Sequence, residues 1–259
     1  MRQPHEDWAR VGEVLALGSL FIVLSARMPV DGAVALDCRM SHFSTEDLAT
    51  ADVIDALDGR FNHRSHLNGL VGPDKNKAII GPALTISFMP VRDDLMNATS
   101  SHNLGPALYN AIGDAEAEGA VLVMASNGHY DSALGGGTKL SRLHNLNMAG
   151  VVCDGRLRDF EELADYSFSA YCTGETVKAG GKEVLPYLWN VPVVLGGVVT
   201  VNPGDMIYAD DSGVAVVPPE HAEEIFADAR VRRQRDRDML PMIAAENPAD
   251  VLAQGVKEV

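Results

Sequence analysis

An arginine–aspartate pair, Arg158-Asp159, and a glycine triplet, Gly135–Gly137, are the residues of this chain best suited to chemistry on a small anion. The planar guanidinium of Arg158 can bind a carboxylate through two parallel hydrogen bonds. Asp159 offers a hard carboxylate oxygen, the kind of ligand that Mg²⁺ prefers. The triplet opens a predicted helix, and free N–H groups at a helix N-terminus attract anions. Together these groups predict a binding site for a keto acid.

Two predicted helices and a short strand must bring these groups together. Three leucines recur at helical spacing after the glycines: Leu140, Leu143 and Leu146. Gly150 ends this helix, Val151–Cys153 is a short buried strand, and a second helix begins near Arg158-Asp159. We expect both helix N-termini to lie at one edge of a sheet, so that the glycines face the arginine–aspartate pair.

Each of these residues also has a purely structural interpretation. An aspartate in the first turn of a helix with Glu162 three residues later is typical of a helix cap and its reciprocal glutamate. Arg158 can pair with Glu161 or Glu162 on the surface, and Gly136-Gly137 can be a simple turn. A cap and a metal ligand are compatible roles for Asp159, because Mg²⁺ keeps several waters and needs few protein ligands.

The motifs, taken as an ordered set, resemble one protein family. Gly137, twenty intervening residues, Arg158-Asp159, two more residues and Glu162 resemble the Gly-x20-Arg-Asp-x2-Glu/Asp pattern of the 4-hydroxy-4-methyl-2-oxoglutarate aldolase / regulator of ribonuclease activity A (RraA-like) family. Further segments between about residues 42 and 238 are similar to its opening helix, first long strand and closing strands: Thr50–Leu57, Gly81–Ile86, Asn190–Val193 and Val201–Val214.

The resemblance implies a role for each site residue. Asp159 is the metal ligand, for Mg²⁺ or Mn²⁺, and Arg158 binds the carboxylate of pyruvate and the developing enolate. The segment Gly136, Gly137, Thr138 and Lys139 binds the substrate, with the last three amides on its carboxylate. Either a metal-bound water or Asp236, on the C-terminal helix of a neighbouring subunit, would move the proton. This chain departs from the family at Gly137, where aldolases often carry an acid, and at Lys139, which can touch a second carboxylate on the substrate.

The implied reaction is metal-dependent cleavage of a carbon–carbon bond next to a 2-keto acid. Such a lyase releases pyruvate, and the same enolate arises when oxaloacetate loses CO₂. One alternative is a non-catalytic regulator that binds a ribonuclease, although that branch commonly lacks the aspartate that follows Arg158 here. The other is a different metal-dependent lyase or hydrolase acting on an anionic metabolite.

The composition and the apolar runs limit the binding partners and the cellular compartment that we expect. A net charge of -15 argues against nucleic acid, because phosphate binding needs a basic face. The apolar run at residues 14–26 is too short to span a bilayer, so no membrane partner is expected. The chain has three scattered cysteines, too few for a disulfide framework or a zinc knuckle, which favours a reducing cytoplasm.

The organisation of the chain is predicted as follows. Residues 1–39 are an N-terminal extension: an added helix, sequence upstream of a start at Met40, or a targeting segment. Residues 40–240 form one layered α/β domain, which by resemblance is a swivelling β/β/α sandwich assembled as a homotrimer or homohexamer, and residues 241–259 are an exposed tail. The elements expected within the domain are a helix from Ser44, a strand at 78–90, a helix at 108–118, a strand at 120–125, a loop at 127–134, short strands between 191 and 217, and a charged helix from Pro218 to about Met239.

Overall fold

The computed structural model of this 259-residue chain describes residues 43–73, 77–92, 94, 103–113 and 115–253. Its strands are β1 (His66–Leu67), β2 (Ile79–Pro90), β3 (Val121–Ala125), β4 (Ala133–Gly135), β5 (Gly150–Cys153), β6 (Arg156–Leu157), β7 (Ser169–Tyr171), β8 (Val184–Trp189), β9 (Val193–Leu195), β10 (Val199–Val201), β11 (Met206–Asp210) and β12 (Gly213–Val217). Its helices are α1 (Thr50–Leu57), α2 (Leu104–Ile112), α3 (Gly137–Asn145), α4 (Phe160–Ala164), a 3₁₀ turn (Pro219–His221), α5 (Ala222–Ala244) and α6 (Pro248–Ala253).

A large mixed sheet forms the centre of the domain. Within the described residues, eight strands join it in the order β1-β12-β11-β2-β3-β5-β7, with β8 beside β2. Strands β2, β3, β5 and β7 run parallel, while β8, β11, β12 and β1 pair in antiparallel fashion. The carboxyl ends of the parallel strands therefore meet at one edge, where open α/β sheets usually bind their ligands.

Alternation along the strands divides the core between the two faces of the sheet. In β3, Val121 and Val123 point to one face and Leu122 and Met124 to the other, as the period of two requires. The first face is covered by the β9–β10 hairpin. The second face is covered by α2, α3 and α4 over the parallel strands, and by α1 and α5 over β11 and β12. The hairpin, the sheet and the helices form the predicted β/β/α layers, so the predicted α/β fold class is confirmed.

Helix α1 begins at Thr50 and not at Ser44, where the sequence predicts its cap. The carboxylate of Asp210, at the end of β11, accepts the Thr50 N–H at 2.8 Å. The Asp52 carboxylate accepts the Ala49 N–H at 3.0 Å. Ser44 instead accepts the Glu46 N–H in a local turn. The start of this helix is therefore set by a partner 160 positions away, which a local cap signal does not reveal.

Helix α5 runs through Pro241, where the sequence predicts that an exposed tail begins. It ends at Ala244, and the residues from Leu240 to Ala249 are exposed. A proline inside a helix removes the hydrogen bond to the carbonyl four residues earlier, here Arg237. Because this end of α5 projects into solvent, water can satisfy that carbonyl.

The predicted extension at residues 1–39 lies outside the described residues. Among the residues that are described, no helix is both long enough and apolar enough to cross a membrane.

Candidate active site

A second, very small parallel sheet positions the candidate site. Strands β4 and β6 lie in the segments that leave the neighbouring strands β3 and β5, and they pair so that Gly135 lies opposite Leu157. The Arg158 N–H then donates to the Gly135 carbonyl at 3.2 Å. The sequence predicts a loop at 127–134 and no strand between Cys153 and Arg158. Strands of two or three residues are too short to give a periodic signal. This pairing brings the glycine triplet beside Arg158 and Asp159.

A buried aspartate holds the base of these two segments. The Asp154 carboxylate accepts the Ser126 N–H at 2.6 Å and the Gly196 N–H at 2.8 Å. Asp154 is only 3% exposed, and both of its oxygens bind backbone amides. It therefore ties the end of β5 to the end of β3 and to the β9–β10 turn, which makes it structural.

Asp159 does not cap the helix that follows it. It lies in the left-handed region, with φ 62° and ψ 47°, and its side chain makes no cap hydrogen bond. The N–H of Phe160, the first helical residue, donates to Glu175 Oε1 at 2.9 Å. Asp159 Oδ2 turns the other way and accepts both the Gly137 N–H and Arg158 Nε, each at 3.1 Å. The cap interpretation is therefore wrong, and Asp159 Oδ1 has no hydrogen-bond partner in the described part of the chain.

Side chains of the site lie close to the backbone of two of the glycines. A Cβ on Gly136 would lie 2.6 Å from Arg158 Cγ and 2.7 Å from Asp159 Oδ2. A Cβ on Gly137 would lie 1.8 Å from Glu162 Oε2. The Glu162 carboxylate thus occupies the space that a side chain at position 137 would need. This agrees with the presence of glycine here, where aldolases of the family often carry an acid.

Most of the amides at the start of α3 already donate to acceptors within the chain. The Gly137 N–H binds Asp159, and the Lys139 N–H binds the Gly136 carbonyl at 3.0 Å. Of the three amides expected on the substrate carboxylate, only that of Thr138 has no acceptor among the described residues. Thr138 and Lys139 are exposed, whereas Gly135–Gly137 are buried. The anion site in this structure therefore reduces to the Thr138 amide, the helix dipole and Arg158.

These groups line a pocket of about 220 Å³. Its charged side chains are Lys139, Arg158 and Asp159. Six apolar residues form much of the remaining wall: Phe88, Leu104, Leu134, Val184, Leu185 and Pro186. Asn103 and Leu104 also place the start of α2 at the pocket, so the beginnings of two helices face it. Asp236 is exposed on α5 and is absent from the pocket lining of its own chain.

The sequence profile of the RraA-like family, described as Aldolase/RraA, matches residues 50–216, which is more than half of the chain. The chain belongs to the RraA-like family. A provisionally named 4-hydroxy-4-methyl-2-oxoglutarate aldolase of Halalkalibacterium halodurans is 31% identical over 191 residues, covering 73% of this chain and 81% of that protein.

Solved structures of RraA-like and uncharacterised proteins have a similar fold. RraAS2 of Streptomyces coelicolor, described as an unusual member of the RNase ES inhibitor RraA family, superposes with a TM-score of 0.64 at 30% identity and covers 74% of this chain and 92% of that one. An uncharacterised protein of Pseudomonas syringae pv. tomato gives a TM-score of 0.66 at 26% identity, covering 80% and 89%. The predicted family is therefore confirmed.

Within the described residues, the candidate site has one carboxylate suited to a metal and no larger cluster. Among the described residues, no three or more His, Cys, Asp or Glu side chains lie close enough together to hold a metal ion. Asp159 nevertheless fits a Mg²⁺ site, because Oδ2 is fixed by two donors while Oδ1 is unpaired and the side chain is 34% exposed at the pocket. A single carboxylate with waters and substrate oxygens is a usual set of ligands for Mg²⁺.

Two residues of the RraA-like site were missed by the sequence interpretation. Glu175 binds the first amide of α4, and nothing local links it to that helix. Tyr166 Oη lies 3.2 Å from Glu162 Oε1 and 3.3 Å from the Gly137 carbonyl oxygen. Tyr166 lies beyond the end of α4 at Ala164, so no helical periodicity in the sequence links it to Glu162.

Proposed function

We propose that this chain is a divalent-metal-dependent lyase that cleaves a carbon–carbon bond next to a 2-keto acid and releases pyruvate. The H. halodurans relative, which this chain covers over 81% of its length, carries an aldolase name. The pocket joins one available carboxylate oxygen, one guanidinium and the start of a helix at a volume suited to a small keto acid. Oxaloacetate decarboxylation belongs to the same proposal, because it passes through the same enolate.

The observation that carries the proposal is the orientation of Asp159. Its side chain makes no cap hydrogen bond to α4; Oδ2 accepts from Gly137 and Arg158, and Oδ1 has no partner in the described part of the chain. Its left-handed backbone is an uncommon conformation for any residue with a side chain. Such conformations cluster at functional sites, where the surroundings hold them in place.

In the proposed mechanism, each residue acts on a different part of the substrate. Asp159 would hold Mg²⁺ or Mn²⁺, which when bound supplies a Lewis acid for the keto group. Arg158 binds the substrate carboxylate and stabilises negative charge as the bond breaks. The Thr138 amide and the dipole of α3 favour the same anionic end, and Lys139 is placed for a second carboxylate. The apolar wall formed by residues such as Phe88 and Leu134 limits water around the reacting atoms.

We further propose that the working site is shared between subunits of a homotrimer or homohexamer. Asp236 lies on the exposed part of α5, which extends beyond the residues that pack against the sheet. A carboxylate on such a projecting helix can serve the pocket of a neighbouring subunit, where Asp236 would move the proton to or from the substrate.

A second candidate function is regulation of a ribonuclease by binding. It is favoured by the likeness to RraAS2, which covers 92% of that chain at 30% identity. The two functions differ in their need for Asp159, because a regulator uses its surface and not the carboxylate of this pocket.

Turnover with and without metal tests the proposal. Protein treated with EDTA should neither cleave 4-hydroxy-4-methyl-2-oxoglutarate nor decarboxylate oxaloacetate, and added Mg²⁺ or Mn²⁺ should restore both activities. Pyruvate release is measured with a coupled dehydrogenase. Full activity in chelator would exclude the metal mechanism, while inactivity on a whole panel of keto acids with metal present would favour the regulator.

A further inference from the structure

Tyr166 lies beside the candidate site without lining its pocket, and the proposed mechanism gives it no part. Its hydroxyl oxygen is 3.3 Å from the Gly137 carbonyl oxygen and 3.2 Å from Glu162 Oε1. The phenol has one hydrogen, so it is shared between these two acceptors. Because it contacts both the Gly137 carbonyl and the Glu162 carboxylate, Tyr166 can hold Gly137 in position.

The direction of this hydroxyl is fixed by the ring that carries it. The Tyr166 ring stacks on His144, with centroids 5.6 Å apart at 29°, and on Phe168, with centroids 5.5 Å apart at 23°. Phe168 is only 1% exposed and is part of the core. His144 Nδ1 lies 2.8 Å from Ser167 Oγ, which holds the outer ring of the stack. The hydroxyl is therefore aimed by packing, and not by the hydrogen bonds alone.

The Gly137 residue is held from three sides. Its N–H donates to Asp159 Oδ2, its carbonyl accepts from Tyr166 Oη, and Glu162 Oε2 occupies the position where a Cβ would lie. A shift of Gly137 would move the donor that, with Arg158 Nε, orients the Asp159 carboxylate. Tyr166 is thus connected to Asp159 through one residue.

We propose that Tyr166 is a positioning residue that fixes Gly137 and thereby sets the orientation of the Asp159 carboxylate toward a divalent metal. The inference rests on the proposed function, since it takes Asp159 as the ligand. Burial, together with the neighbouring Glu162, raises the pKa of Tyr166, so the phenol remains a hydrogen-bond donor at neutral pH. Groups that hydrogen-bond directly to a metal ligand, as the Gly137 N–H does here, typically change metal affinity by 10- to 100-fold when they are removed. Tyr166 acts on that group, so we expect a loss at the lower end of this range.

The Tyr166→Phe substitution isolates the hydroxyl, because phenylalanine keeps the ring stack with His144 and Phe168. We expect the affinity of the substrate-free protein for Mn²⁺, measured by calorimetry, to fall about tenfold. At saturating metal, KM for the keto acid should stay near the wild-type value, because Tyr166 does not line the pocket. Tyr109→Phe is the matched control, since Tyr109 is 54% exposed on α2, and its Mn²⁺ affinity should be unchanged.

A double-mutant cycle tests whether Tyr166 and Glu162 act on Gly137 as one unit. Glu162→Gln replaces the carboxylate that accepts from Tyr166 with a weaker acceptor, so its effect on Mn²⁺ affinity and that of Tyr166→Phe should be smaller together than the product of the two separately. Independent, multiplicative effects would overturn this joint action.

The outcomes separate this inference from the proposed function. If wild-type protein binds Mn²⁺, Asp159→Asn does not, and Tyr166→Phe binds like wild type, then the inference is overturned and the proposed function stands. If wild type and Asp159→Asn bind Mn²⁺ equally well, the proposed function fails and the role of Tyr166 fails with it. A tenfold loss in Tyr166→Phe with an unchanged circular dichroism spectrum supports the inference.

Discussion

Asp159→Asn is the sharpest test of the candidate site, because it removes a charge and almost nothing else. Asparagine has the shape of aspartate and tolerates the left-handed region about as well, so φ 62° adds little strain. Its amide oxygen can still accept the Gly137 N–H that Asp159 Oδ2 now accepts at 3.1 Å. Alanine would instead leave that buried amide without a partner and would confuse folding with chemistry.

The expected magnitudes follow from the contacts of Asp159. The ion pair with Arg158 contributes at most a few tenths of a kcal/mol, because the two side chains are 34% and 40% exposed and solvent screens them. The free energy of unfolding should therefore change by less than about 1 kcal/mol. Removing a partner of a metal ligand costs about 10- to 100-fold, so loss of the ligand itself should lower turnover more than about 100-fold.

The assay combines thermal unfolding, Mn²⁺ calorimetry and oxaloacetate decarboxylation on the same samples. Asp47→Asn is the matched control, since Asp47 also has a left-handed backbone, with φ 56°, and an ion pair, with Arg237 at 2.7 Å. It should be as active as wild type. Turnover of Asp159→Asn within about threefold of wild type would refute the metal role and leave the regulator as the better function.

Three further predictions concern other residues. Arg158→Ala should lower kcat/KM by roughly 30- to 1,000-fold in steady-state assays while calorimetry finds Mn²⁺ affinity largely kept, because a charge-assisted contact to the developing anion is worth about 2–4 kcal/mol. Light scattering should find a trimer or hexamer, and Asp236→Asn should lower kcat without dissociating it; a monomer at micromolar concentration would contradict the shared site. Burial raises the pKa of Asp205 to about 6, although its carboxylate accepts the Asn202 N–H. The folded state thus binds this proton more tightly than the unfolded chain, so stability should fall as pH rises from about 4 to 6, and Asp205→Asn should flatten that slope in thermal melts.

The sequence predicts best those features that depend on neighbours in the chain. The buried strands around Val121 and Val151 follow from short apolar runs with breakers on both sides. The meeting of the glycine triplet with Arg158 and Asp159 follows from two helices that leave one sheet edge, and the structure brings these groups together.

Boundaries and side-chain roles failed where a distant partner decides them. The predicted cap of α1 at Ser44 failed because Asp210, on β11, binds the Thr50 N–H and sets the start of that helix. The predicted helix at 108–118, observed at Leu104–Ile112, failed for a local reason, because Gly113, with φ 56°, ends it. The pattern around Asp159 and Glu162 looks like a capping box, yet the Asp159 side chain makes no cap hydrogen bond and accepts the Gly137 N–H. No local rule predicts this outcome, because the competing donor lies 22 positions earlier in the chain.

The pairing of β4 with β6 makes chain length a constraint on this site. The segment from Gly137 to Arg158 contains α3, β5 and β6. Its last residue, Arg158, donates its N–H to the carbonyl of Gly135, the last residue of β4. One residue inserted in β6 or directly before it would shift the pairing with β4 by one position and turn Arg158 to the opposite face. The segment 177–182, which supplies Ala179–Gly181 to the pocket wall, is also joined to β4, since the Ala133 N–H donates to the Lys178 carbonyl at 2.9 Å and a Cβ on Gly180 would lie 2.1 Å from the Ala133 carbonyl oxygen. Both segments that contact β4 should therefore keep their lengths, and substrate range should change by substitution of the side chains that line the pocket.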